Sequence, residues 1–108
     1  MNENIAVLAE EDEIPLFYLA GIKESFVVYD TEGASKLLLE LSKREQYKLI
    51  IVSSRIAQKL ENLIADISTK QLYPVIVTIP DRTGPTEKRV DSIRDLVRRA
   101  VGFDMKVK

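Results

Sequence analysis

The sequence has no cysteine, no histidine and no tryptophan. The first absence excludes disulfides and thiolate nucleophiles, and with the second it removes imidazole bases and most zinc sites. Glycine is scarce, with 4 in 108 residues, and none lies between the first apolar run (5–9) and the helical segment after it. A phosphate-cradling turn needs glycines there and a Walker-type lysine nearby, so dinucleotide and P-loop chemistry are excluded. No apolar run approaches the roughly 20 residues of a membrane-spanning helix. The acidic N-terminus is unlike a signal peptide, so the chain is expected in the cytoplasm. Neither sign of charge dominates: the formal net charge is −1, which gives no global attraction to nucleic acid or to an anionic membrane.

What is present is enough apolar material for a core, 45% of residues, in a length that fits one compact domain. Such a chain buries about 65% of its unfolded surface. Four short apolar runs recur: "IAVLA" (5–9), "FVVY" (26–29), "LIIVS" (49–53) and "PVIVTI" (74–79). None alternates with polar residues, as expected of strands covered on both faces. Helical patterns separate them. In 31–44, Thr31 is the expected cap and Ala34, Leu37, Leu38 and Leu41 share a stripe. A single helix is expected over 54–69, with Ile56, Leu60, Leu63, Ile64 and Ile67 repeating the spacing. A last helix is expected over about 86–101, stopped by Gly102. Alternating strands and helices predict an α/β fold with a parallel sheet and helices on both faces. Residues 1–80 are read as the sheet domain. Residues 81–108 are read as a rigid turn, "DRTGP", and a C-terminal helix attached less firmly.

Ligands of such folds bind at the carboxyl ends of the strands. Those ends offer Glu10, Glu11 and Asp12, then Asp30 and Thr31, then Ser53, Ser54 and Arg55, and finally Asp81 and Arg82. A phospho-receiver domain would carry an acceptor aspartate where this chain has Ser53, and a lysine on a fifth strand that is missing here. The acids either hold Mg²⁺ or flank a short helix, where carboxylates favour the positive end of the dipole. Ser53 and Ser54 are expected to cap the third helix, since no base is available to activate them. No catalytic, cofactor or metal residues are therefore assigned.

The segment "IPLFYLAG" is more informative. Opened by Pro15 and closed by Gly21, it is apolar around most of its circumference, so it either sinks between its neighbours or meets a partner. The last helix poses the same choice. Its stripe of Val90, Ile93, Val97, Ala100 and Val101 docks on its own sheet or elsewhere, and Arg94, Arg98 and Arg99 could dock an acidic partner. The candidate partner-binding residues are Phe17, Tyr18 and Leu19 in the first helix, and Ile93, Arg94, Val97, Arg98 and Arg99 in the last.

Two stretches, "IAVLAEEDEIPLFYLAGI" and "IPDRTGPTEKRVDSIRDLVRRAVGFD", resemble the F subunit of the archaeal A-type and related vacuolar-type rotary ATPases. The matching features are the acidic pair after the first strand, Phe-x-Leu-Ala-Gly-Ile, the Gly-Pro turn, Asp-Ser-Ile and Arg-Arg. The middle stretch "LIIVSSRIAQKLENLI" is similar to the family's third strand and helix. The resemblance implies a receiver-like, three-layer fold with a four-stranded parallel sheet in the order 2-1-3-4. It also implies a non-catalytic central-stalk component on the cytoplasmic face of the membrane, peripheral and without cofactor. Its implied partners are the coiled-coil D subunit of the stalk and, through the C-terminal helix, the A and B subunits. The implied role is coupling of rotation and modulation of ATP turnover with ion translocation. The alternative is a receiver-like adaptor that binds proteins without phosphorylation.

Overall fold

The computed structural model describes residues 4–79 and 90–99. Four strands form one sheet: β1 (Ile5–Ala9), β2 (Ser25–Val27), β3 (Leu49–Ser53) and β4 (Val75–Ile79). The helices are α1 (Ile14–Leu19), α2 (Thr31–Ser42), α3 (Ser54–Lys59) and α4 (Glu61–Lys70), with α5 over residues 90–99. A 3₁₀ turn, Glu11–Glu13, leads into α1. All pairings are parallel and the strand order is β2-β1-β3-β4, as the sequence implied. Reversal of direction across the sheet puts the helices on both faces, because parallel crossovers are right-handed.

The central strands β1 and β3 are buried along their whole length, which explains why they read as unbroken apolar runs. Their side chains divide between two cores. On one face Ala6, Leu8, Ile50 and Val52 meet Leu38 and Leu41 of α2, Ile56 and Ala57 of α3, and Ile67 of α4. On the other, Ile5, Val7 and Ile51 meet Leu16 and Phe17 of α1 and Val90, Ile93 and Val97 of α5. The described part of the last helix thus docks on its own sheet. The expected turn "DRTGP" (81–85), the expected start of the last helix at about 86 and its expected stop at Gly102 lie outside the described residues.

Four local expectations change. β2 is shorter than "FVVY": Val28 is buried beyond its end and Tyr29 points to solvent, 81% exposed. Asp30, not Thr31, caps α2, its Oδ1 accepting from the Gly33 N–H at 2.6 Å. A Cβ at Gly33 would sit 3.0 Å from the same oxygen, so a side chain there would make the carboxylate give way by a few tenths of an ångström. The single helix expected over 54–69 is two, α3 and α4, broken at Leu60 (φ −113°, ψ 21°). Leu60 leaves helical geometry to bury its side chain, while its N–H still reaches Ile56 and Ala57 and its carbonyl still receives Ile64. Finally, Ser53 stands at the N-cap position of α3 but makes no side-chain capping bond.

Candidate functional site

Two regions are candidates: the carboxyl ends of the strands and the outer surface of α1 with α5. At the strand ends, Glu10, Asp12 and Glu13 bring carboxylate oxygens within 4.8 Å of one another. Two of the three are committed to local structure. Glu10 pairs with Arg55 at 2.9 Å, and the Glu13 carboxylate accepts from the Glu10 N–H at 3.1 Å. Acids that follow a strand and open a helical turn are stabilised there by the unpaired N–H groups. Ser53, the last residue of central strand β3, is buried and its hydroxyl has no hydrogen-bond partner among the described residues. It stands where a phosphoacceptor would be needed, and no carboxylate takes its place. A cleft between Glu10, Tyr29, Asp30 and Lys59 has a volume of about 30 Å³. That is room for about one water, and ligand pockets are about 300 Å³ or more.

The second region begins with why α1 is so short. Pro15 at its start is preorganised for a first turn. Gly21, at φ 96°, ends it in a left-handed conformation that a side chain would strain. The Gly21 N–H donates to Tyr18 O and the Ile22 N–H to Phe17 O, both at 3.0 Å, the pairing of a Schellman cap. With the termini pinned, Leu16 and Phe17 turn inward and Tyr18 and Leu19 turn out, 67% and 56% exposed. Alongside, α5 buries Val90, Ile93 and Val97 and exposes Arg94, Arg98 and Arg99. Arg94 Nη2 donates to the Leu19 carbonyl at 3.0 Å and joins the two helices. Arg99 pairs with Asp95 at 2.8 Å.

The eight candidate residues therefore separate. Phe17, Ile93 and Val97 are core of this chain, and only Tyr18, Leu19, Arg94, Arg98 and Arg99 lie at the surface. Sequence reasoning missed the bond between Arg94 and Leu19, for which spacing gives no signal across 75 residues. It also missed exposed Leu72, which stands between α4 and β4 in a stretch with no periodic pattern. At the opposite, amino end of the sheet Tyr47 is buried and donates to Glu24 Oε1 at 3.0 Å. Burial first, and then this bond and the charge of Glu24, push its phenol above the usual tyrosine range.

No helix among the described residues is long and apolar enough to cross a membrane. Known proteins are similar to this chain along nearly its whole length. Over 105 residues the chain is 35% identical to the A-type ATP synthase F subunit of Methanothermobacter thermautotrophicus, covering 97% of this chain and 98% of that protein. The corresponding protein of Methanosphaera stadtmanae is 31% identical with the same coverage. That of Methanocaldococcus jannaschii is 33% identical over 102 residues, 94% of this chain and 98% of its own. A sequence model of the ATP synthase (F/14-kDa) subunit matches residues 5–97, strand β1 through most of α5. The chain belongs to this family of ATP synthase (F/14-kDa) subunits.

Proposed function

We propose that this chain is a non-catalytic central-stalk component of an A-type rotary ATP synthase, peripheral on the cytoplasmic face of the membrane. It docks on the coiled-coil D subunit, reaches the A and B subunits through its C-terminal helix, and modulates ATP turnover as rotation is coupled to ion translocation. The observation that carries the proposal is likeness along almost the whole chain to the F subunits of such synthases. Two features of the fold support it. Central strand β3 ends in Ser53, where a phosphoacceptor carboxylate would be needed, and the cleft between Glu10, Tyr29, Asp30 and Lys59 is water-sized, which favours a binding role over that of a receiver or phosphotransfer enzyme. The exposed pair Tyr18 and Leu19 beside Arg94 has the composition of a protein contact.

The test is reconstitution of the synthase head and stalk with and without this chain. The chain is expected to co-elute with the coiled-coil partner, and the charge-reversing pair Arg98→Glu and Arg99→Glu is expected to change the ATPase rate without abolishing assembly. Failure to recover the chain with any synthase component would return it to the receiver-like adaptor reading.

A further inference from the structure

Four basic residues on or next to the helices pair with a carboxylate one turn back. Lys36 pairs with Glu32 in α2, Arg44 with Glu40 just beyond its end, Lys70 with Asp66 in α4 and Arg99 with Asp95 in α5, each four residues back. The same spacing puts Val90 behind Arg94 and Arg94 behind Arg98. Among the described residues neither Arg94 nor Arg98 has a carboxylate at ion-pair distance, although Asp91 and Asp95 share the helix. Like charges four apart on a helix repel each other.

Arg94 is also held in place. The Schellman cap of α1 uses the carbonyls of Phe17 and Tyr18, and the Ala20 N–H is shared between those of Leu16 and Phe17. Leu19 O is left over, and the guanidinium of Arg94 takes it. A cation at a helix C-terminus is favourable, and Arg94 remains exposed. The result is a fixed guanidinium beside two exposed apolar side chains, Tyr18 and Leu19, with Arg98 one turn further along α5.

We infer that Tyr18, Leu19, Arg94 and Arg98 form one docking surface for an acidic amphipathic helix, whose apolar stripe covers the α1 pair and whose carboxylates, one turn apart, pair with the two arginines. The occupant is fixed by charge complementarity. Bidentate carboxylates satisfy both forks and remove the repulsion between them, whereas a neutral or basic helix would desolvate two unpaired cations. On the stalk reading above, which this surface deepens, that helix belongs to the coiled-coil partner.

The experiment measures binding of the full chain to the synthase complex purified without it, over about 50 to 500 mM salt. Arg98→Glu, which breaks no ion pair or hydrogen bond among the described residues, is expected to weaken binding about tenfold and to flatten its salt dependence. Arg98→Lys, which keeps the charge and loses the fork, is expected to bind between the wild type and Arg98→Glu with the salt dependence kept, and Tyr18→Ala with Leu19→Ala to weaken binding while the salt dependence stays. Circular dichroism of each variant shows that it is folded. Unchanged affinity of Arg98→Glu and of the α1 double variant would overturn the surface and leave the stalk reading standing. No binding by the wild-type chain would overturn both. Self-association lost in Tyr18→Asp, or binding to phosphatidylglycerol vesicles lost in Arg98→Glu, would replace the acidic helix by a second copy or a lipid surface.

Discussion

Asp30 and Ser53 each precede a helix, and both are residue types that favour the N-cap position. Asp30 accepts from the backbone of α2, in water-exposed surroundings. Ser53 is buried, and its hydroxyl meets no partner among the described residues. Asp30→Ala is therefore expected to cost about 1 kcal/mol in urea unfolding, the scale of a lost cap. Ser53→Ala is expected to be neutral or stabilising, because it removes a desolvated hydroxyl that gains nothing in return. A large loss on Ser53→Ala would show that the hydroxyl has a partner after all. Tyr47 supplies a pH-dependent counterpart. Its phenol is raised above the ordinary value of 10.0, mainly by burial, and so favours the neutral form when folded. That contribution is complete below the unfolded pKa and is lost as pH rises through the higher folded one. Stability is expected to fall above about pH 10, and less steeply in Tyr47→Phe; identical slopes for the two proteins would refute the assignment.

At the scale of elements, α5 is the case on which core and function compete. Its inward stripe of Val90, Ile93 and Val97 completes the core that Val7, Ile51 and Phe17 begin. Burial of such side chains is worth about 1.5–3 kcal/mol each, against a total stability of about 5–15 kcal/mol. Deleting residues 86–108 is therefore expected to leave the sheet folded, since the opposite core under α2, α3 and α4 is untouched. The urea midpoint should drop substantially, read by far-UV circular dichroism. Complete unfolding of the shortened chain would make α5 inseparable from the sheet. In the intact chain, amides of α5 are expected to exchange faster than those of β1 and β3, because one helix face and one side-chain bond to α1 hold them.

At the scale of the molecule, the described strand ends offer only a cleft of about 30 Å³, and a surface with exposed apolar and cationic groups lies around α1 and α5. The acids at the strand ends are bound into the turn before α1 and to Arg55 of α3. Their replacement in Glu11→Gln with Asp12→Asn is expected to alter stability slightly and nothing else. Isothermal calorimetry with Mg²⁺ should show no stoichiometric binding by the wild type, and the isolated chain should neither hydrolyse ATP nor label itself from a small phosphodonor. A saturable Mg²⁺ heat that vanished in the double variant would overturn this and reopen phosphoryl chemistry.

The parallel sheet was legible in the sequence because unbroken apolar runs such as "IAVLA" and "LIIVS" suit strands covered on both faces, while its order followed from the family resemblance. The ends of α1 were legible too, since Pro15 and Gly21 act through their own backbone angles. Packing decided the rest. Six successive apolar residues from Ile14 to Leu19 give no local reason for Phe17 to be buried and its neighbour Tyr18 exposed. The break at Leu60 carries no glycine or proline, and it exists because two helices must each lay their apolar stripe on one face of the sheet. The candidate surface itself depends on Arg94 reaching a carbonyl 75 residues away. Periodicity reports only which residues share a face; which face meets the core, and what lies beside it, is fixed when the handed crossovers bring distant helices together over the sheet.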